Sequence, residues 1–77
     1  MKVEKESKRF LKFRIDILPI KPKTFKVFVD GKELKEGREF KITDYEKGEF
    51  VIDLNKVNER IEKIVVEHGF VIEEKEY

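Results

Sequence analysis

The chain lacks several residue types on which enzyme chemistry and covalent stabilisation depend. Its 77 residues include no cysteine, no tryptophan, a single histidine (His68) and a single serine (Ser7). The missing cysteine excludes a disulfide, a thiolate zinc site and a cysteine nucleophile. His68 and Ser7 do not easily supply a nucleophile, a base and an orienting group. We therefore predict that the protein is not an enzyme, has no catalytic residues and uses no cofactor.

Metal and phosphate sites are equally sparse in the sequence. His68 beside Glu67, and Asp44 with Glu46 and Glu49, offer ligand atoms, but neither group has the spacing of a known metal site. On an alternating apolar face, His68 is expected to be partly buried and hydrogen-bonded. The carboxylates are expected on a solvated hairpin tip. The glycines are scattered singly, which excludes a glycine-rich phosphate loop. We predict no metal site.

Long apolar segments are absent. No apolar run approaches the roughly 20 residues of a membrane-spanning helix. The N-terminal segment MKVEKESKRF is basic but lacks the apolar core of a secretory signal. These features predict a soluble protein with no membrane partner, and they favour the cytoplasm over export.

Charge, by contrast, is abundant and unevenly distributed. Charged residues make up 45% of the chain, against about 25% in an ordinary domain. The Lys/Glu bias resembles hyperthermophile proteins, so we expect a thermophilic source, although a computationally designed chain could show the same bias. Residues 1–28 carry nine Lys/Arg against three Asp/Glu, whereas residues 29–77 carry nine against fourteen. The fold would have a basic and an acidic side unless its strands interleave.

Two-residue alternation of apolar residues predicts an all-β fold. The clearest strand spans residues 9–17, and Pro19 and Pro22 end it because neither can donate to a β ladder. Further short strands are separated by turns at Asp30-Gly31, Glu36-Gly37 and Lys47-Gly48. We predict a flexible tail over 1–7 and one domain over 8–77, a small antiparallel sandwich or barrel of five to seven strands. The predicted core is Phe13, Ile15, Ile17, Phe25, Val27, Val29, Phe40, Ile42, Phe50, Ile52, Leu54, Ile64, Val66 and Phe70.

Residues 55–68 allow two interpretations. Asn55 could cap a helix near 56–68 that stops at Gly69, which would make the fold α+β. The alternative is one long strand that runs on to Phe70 and Ile72, with residues 55–60 as a turn or a single helical turn. The branched residues of this segment favour the strand.

The first two long strands could form a basic and aromatic face. If 9–17 pairs antiparallel with 24–29, one face and its connecting loop combine Lys8, Phe10, Lys12, Arg14, Lys21, Lys23, Lys26 and Phe28. Small β domains bind nucleic acid in this way, with cations on phosphates and rings on bases. Alternatively, the two phenylalanines form a second buried layer with lysines at its rim. The pI near 7.9 argues against nonspecific duplex binding, for which values above about 9 are usual.

The segment FKVFVDGKELKEGREFKI, followed by GEFVIDL, resembles small immunoglobulin-like β-sandwich modules of phage and virus structural proteins and of prokaryotic surface proteins. The rhythm is a strand ending in Asp-Gly, a short strand, and a glycine before an aromatic-led strand. The positions that match it are Val29, Asp30, Gly31, Leu34, Gly37, Phe40 and Ile42. The resemblance implies a scaffold or adhesion role and identifies no functional residues.

Two functions follow as hypotheses. The first is a structural or protein-interaction module of a thermophile's mobile element or surface assembly. It would contact a protein partner, or its own copy, through an exposed sheet edge. The alternative is a nucleic-acid-binding β domain that uses the basic and aromatic face.

Overall fold

The fold is all-β, as predicted. The computed structural model describes residues 1–16, 18–57 and 60–77. Within these residues, two single-turn 3₁₀ helices span Pro22–Thr24 and Leu54–Lys56. The strands are β1 Lys2–Glu6, β2 Phe10–Arg14, β3 Phe25–Val29, β4 Lys32–Glu33, β5 Phe40–Asp44, β6 Glu49–Asp53, β7 Lys63–His68 and β8 Val71–Glu76. None of the helices found in the described residues is long and apolar enough to cross a membrane.

The strands form two four-stranded antiparallel sheets that enclose one core. Sheet A has the order β1-β2-β6-β5 and sheet B the order β4-β3-β7-β8. Since side chains alternate along a strand, each sheet buries one face against the other and leaves one face outside. The eight strands of the described residues exceed the predicted five to seven because β1 falls in the predicted tail and because β7 and β8 form a hairpin where one long strand was predicted.

Aromatic rings join the two sheets. In sheet A, the rings of Phe13 and Phe50 stack with centroids 5.3 Å apart. Phe25 from sheet B meets Phe50 edge-on at 5.6 Å, and it lies tilted against Phe40 at 6.1 Å. Such offset and edge-to-face pairs are the favoured geometries for aromatic rings.

Most of the predicted core is confirmed. The buried members are Phe13, Ile15, Phe25, Val27, Val29, Phe40, Ile42, Phe50, Ile52, Ile64 and Val66. Leu54 is half-buried against this cluster, and Ile17 lies outside the described residues. The core also holds Leu11, Ile20, Leu34 and Ile61, which the prediction omitted.

The prediction of a long strand after residue 60 is wrong, and so is the helix near 56–68. The chain forms the hairpin β7–β8, which turns at Gly69 and Phe70. Gly69 takes a positive φ of 67° at the first turn position, as a two-residue hairpin requires. Phe70 therefore stands at the hairpin tip with 106% relative exposure rather than in the core. Of the predicted turn over 55–60, Asn55 and Lys56 belong to the 3₁₀ helix Leu54–Lys56, and residues 58 and 59 lie outside the described residues.

The predicted flexible tail over 1–7 is also wrong, because Lys2–Glu6 form β1 at the edge of sheet A. β1 pairs with β2, where Val3 lies opposite Phe13. Val3 is the only apolar residue of this strand, so the sequence offers no alternation from which to recognise it. The Met1 amino nitrogen adds contacts to Asp16 Oδ2 at 2.9 Å and to Glu73 Oε1 at 3.0 Å.

The assumed pairing of the first two long strands does not occur. β2 belongs to sheet A and β3 to sheet B. The connection between them crosses the end of the sandwich and buries Ile15 and Ile20. Their backbone N–H groups donate to the carbonyls of Gly48 at 3.0 Å and Tyr45 at 2.9 Å, which fixes the connection to the β5–β6 turn.

Candidate nucleic-acid interface

The crossover divides the predicted nucleic-acid site between two faces of the molecule. β2 carries Phe10, Lys12 and Arg14 on the outside of sheet A, with Lys8 in the preceding loop. β3 carries Lys26 and Phe28 on the outside of sheet B. Lys21 and Lys23 lie exposed in the crossover. The eight predicted residues therefore do not form one surface.

The outer face of sheet A nevertheless concentrates positive charge. We call this surface, with the β1–β2 loop, the basic face. Its cations are Lys2, Lys5, Lys8, Arg9, Lys12, Arg14 and Lys41. Its carboxylates are Glu4, Asp44, Glu49 and Asp53, and its apolar side chains are Phe10 and Val51. These positions share a face because they alternate with buried residues such as Leu11 and Phe13.

Three of the four carboxylates of the basic face are paired with cations of the same face, whereas Asp44 accepts a hydrogen bond from the backbone N–H of Lys47 at 2.9 Å. Arg14 Nε lies 2.7 Å from Glu4 Oε1, and Lys12 Nζ lies 3.3 Å from Glu49 Oε2. Arg9 Nη2 lies 3.4 Å from Asp53 Oδ2. Among the described residues, no carboxylate lies within 4.0 Å of the charged groups of Lys2, Lys5, Lys8 or Lys41. The face thus has positive charge that is not neutralised locally.

Phe10 gives the basic face an accessible aromatic ring. Its side chain is 39% exposed, and Arg9 Cζ lies 5.0 Å from the ring centroid in a cation–π contact. Two hollows flank the ring and share Val51 as a wall. One is lined by Lys5, Ser7 and Lys12. The other is lined by the cations Arg38, Lys41 and Lys56 and by the carboxylates Glu39 and Asp53. The ring therefore stands between two hollows in which the lining cations outnumber the carboxylates.

The outer face of sheet B has the opposite character, and we call it the acidic face. Its carboxylates are Glu33, Glu67, Glu74 and Glu76, against the cations Lys26 and Lys63. Lys63 Nζ is already occupied by Glu74 Oε1 at 3.3 Å. A diagonal of apolar side chains, Phe28, Val65 and Ile72, crosses the face, and Ile72 is 59% exposed. The uneven charge of the sequence is thus segregated onto opposite faces.

His68 has a structural environment, as the sequence analysis expects. Its side chain is buried, and its Nε2 lies 3.0 Å from Glu73 Oε2. The ring also packs 6.2 Å from that of Phe25. Within residues 1–16, 18–57 and 60–77, no group of three His, Asp or Glu side chains converges as a metal site.

The sheet edges are poorly suited to the strand addition proposed from the sequence. β4 has only two residues, and β1 and β5 are interrupted by register shifts after Val3 and Ile42. β8 is regular, but it directs Glu73 and Lys75 inward, opposite buried Val66 and Ile64. Short edges, bulges and inward-pointing charges are the features by which natural sheets discourage edge pairing.

Several residues of the basic face were missed by sequence reasoning. Lys2 and Lys5 were assigned to the tail, and the β5–β6 hairpin was not placed beside β2. The signal for Lys41 was present, since it alternates with the core residues Phe40 and Ile42. The sequence carries no such signal for β1, because all its residues except Val3 are charged.

Comparison of the chain with models of known protein families, with curated proteins and with solved structures finds no match. The resemblance to immunoglobulin-like modules therefore stays a prediction, because two packed antiparallel sheets are common to many protein families.

Proposed function

We propose that the protein is a non-enzymatic binding module that holds single-stranded nucleic acid on its basic face. The observation that carries the proposal is the exposed Phe10 ring between two hollows that contain Lys5 and Lys41, which have no carboxylate partner in the described structure. Three carboxylates of the same face, Asp53, Glu49 and Glu4, are paired with Arg9, Lys12 and Arg14. A polyanion would meet net positive charge there.

The chemistry of such a face suits a flexible strand. Lysines that neutralise phosphates release bound counterions, which makes the affinity fall as salt rises. A base stacked on an exposed ring contributes about 1–3 kcal/mol, largely without regard to sequence. Phosphates on either side of a base stacked on Phe10 would lie toward Lys5 in one hollow and Lys41 in the other.

A single strand fits better than a duplex. Only unstacked bases can lie on the Phe10 ring, and the acidic face on the opposite side repels any polyanion that wraps around the molecule. This is consistent with the near-neutral formal net charge of +1.

A second candidate is the structural or protein-interaction module of a thermophile's surface or mobile-element assembly, with an immunoglobulin-like sandwich as scaffold. The Lys/Glu-rich composition favours the thermophilic setting. Fully exposed Phe70 at the β7–β8 tip favours contact with a protein. Because the strand edges disfavour strand addition, such a module would contact its partner through the sheet faces or the hairpin tips.

Fluorescence anisotropy of labelled single- and double-stranded DNA and RNA tests the proposal. We expect salt-sensitive binding of single strands that falls in Phe10→Ala and in the double variant Lys5→Glu/Lys41→Glu. The matched controls are Phe70→Ala, also an exposed phenylalanine, and Lys35→Glu/Lys47→Glu, two exposed lysines outside the basic face. Both controls should bind as wild type does. Absence of binding at low salt and ~100 µM protein, the weak limit of nonspecific affinity, would overturn the proposal.

A further inference from the structure

The two outer faces of the sandwich complement each other. We propose that the acidic face of one molecule docks on the basic face of a second copy, so that copies associate head to tail. This goes beyond nucleic-acid binding and would compete with it, since both use the basic face.

Charge is the first observation that supports the contact. The basic face keeps Lys2, Lys5 and Lys41 without a carboxylate partner among the described residues. On the acidic face, Glu33 and Glu76 have no cation within 4.0 Å in the described part of the chain. Opposed patches of this kind attract each other and exclude like-charged surfaces.

Apolar side chains are the second observation. Phe10 and Val51 are diagonal neighbours on the basic face, because Phe10 lies opposite Asp53 and Val51 lies opposite Lys12. On the acidic face, Val65 and Ile72 are diagonal neighbours in the same way, since Val65 lies opposite Glu74 and Ile72 opposite Glu67. Each face therefore offers an apolar centre surrounded by charges of both signs, with an excess of cations on the basic face and of carboxylates on the acidic face.

The contact is heterologous, because different surfaces of the two copies meet. A heterologous contact leaves one unused basic face and one unused acidic face, so it produces rings or open chains rather than a closed two-fold dimer. The blunted strand edges make stacking of faces the better route to such a chain than continuous sheet extension.

The size of the faces predicts that each contact is weak. Strands spaced about 4.8 Å apart, with residues rising about 3.3 Å, give a four-stranded face of roughly 19 by 17 Å. This area is well below the ~800 Å² per partner of a standard stable interface. Association should therefore need high protein concentration and low salt.

Sedimentation velocity over a concentration series tests the inference. Wild-type protein freed of nucleic acid should show a weight-average sedimentation coefficient that rises with concentration at low salt and not at high salt. The basic-face variant Lys5→Glu/Lys41→Glu and the acidic-face variant Glu33→Lys/Glu74→Lys should each stay monomeric. An equimolar mixture of the two should associate again, because one variant presents only acidic and the other only basic faces.

Matched variants separate this contact from a general effect of net charge. Lys21→Glu/Lys47→Glu and Glu36→Lys/Glu46→Lys change the net charge by the same amounts at exposed positions outside both faces. Each should associate as wild type does. All substituted positions are exposed, and thermal melts will verify that the variants fold.

Three results would overturn the inference. The first is wild-type protein that stays monomeric at about 1 mM and low salt, because association with a dissociation constant of about 1 mM is detectable at that concentration. The second is association that persists unchanged in both face variants. The third is association abolished by Phe70→Ala and not by the face variants, which would place the contact at the hairpin tip.

Discussion

Phe25 of sheet B places its ring edge-on against Phe50 of sheet A, with centroids 5.6 Å apart and an interplanar angle of 70°. Phe50 is wholly buried and also stacks on Phe13. The pair joins the two sheets within the core, so loss of the Phe50 ring would remove contacts in both sheets.

Phe50→Ala should lower the free energy of unfolding by about 3–5 kcal/mol, because the removed ring leaves a cavity that the sheets cannot close. Phe70→Ala provides the control, since its exposed ring should change stability by no more than about 0.5 kcal/mol. Chemical denaturation measures both values. Equal effects in the two variants would contradict the burial described for them.

Gly48 and Gly31 should differ in their tolerance of alanine. Both have positive φ, 72° and 84°. A Cβ at Gly48 would collide with the Leu18 side chain and lie 2.7 Å from Ile15 Cγ1, whereas nothing lies within 4 Å of a Cβ at Gly31. Gly31→Ala should therefore lose about 1–2 kcal/mol of stability from backbone strain alone. Gly48→Ala should lose about 1–3 kcal/mol more from overpacking.

Thermal and urea unfolding of the two glycine variants provides the comparison. Variants of equal stability would show that the crossover does not pack against the β5–β6 turn as described.

Asp30 connects the β3–β4 turn to the start of β7. Its Oδ1 accepts hydrogen bonds from the backbone N–H groups of Glu62 at 3.0 Å and Lys63 at 2.9 Å. Asp30 also has a positive φ of 50°, a conformation that Asn and Asp tolerate better than Ala. Asp30→Ala should lower the free energy of unfolding by about 1–3 kcal/mol, because the backbone N–H groups of Glu62 and Lys63 lose their acceptor. Asp30→Asn keeps an acceptor oxygen and should lose clearly less. Amide hydrogen exchange at residues 62 and 63 should accelerate in the alanine variant alone.

Tyr77 should show an alkaline titration shifted upward. A hydrogen bond with the Glu6 carboxylate, aided by partial burial and the nearby negative charge, raises the pKa of the Tyr77 hydroxyl above 10.0. The contribution of this hydrogen bond to the stability of the fold is therefore complete below the pKa of Tyr77 in the unfolded chain. It is lost as the pH rises through the higher pKa of Tyr77 in the folded protein. The difference in phenolate absorbance between wild type and Tyr77→Phe, followed against pH, isolates this residue. Glu6→Gln should return the titration toward the ordinary value.

Local features of the fold could be predicted from the sequence, whereas the assignment of strands to sheets could not. Alternation and glycine turns identified β3, β5 and β6, because both signals depend on neighbouring residues. Whether the segment around Pro19 forms a hairpin or crosses between sheets depends on where Ile15 and Ile20 pack, which is a nonlocal choice. For that reason the residues of the predicted site lie on two faces rather than one.

The ends of the chain were misjudged for a different reason. Edge strands carry charges that prevent aggregation, so their apolar period is weak or inverted. In β8 the inward positions hold Glu73 and Lys75, while Ile72 points outward. The even-numbered residues of β7 point inward, but after the turn at Gly69 and Phe70 the odd-numbered residues of β8 do. The alternation of apolar residues in the sequence runs through this turn and therefore does not reveal it.

The segregation of charge onto opposite faces gives the molecule a permanent electric dipole perpendicular to its sheets. A formal net charge of +1 consequently says little about how the protein behaves in a field. Within a Debye length, about 8 Å at physiological salt, an approaching polyanion or a second copy exerts a torque on the whole sandwich. The molecule is thereby oriented before any side chain makes contact.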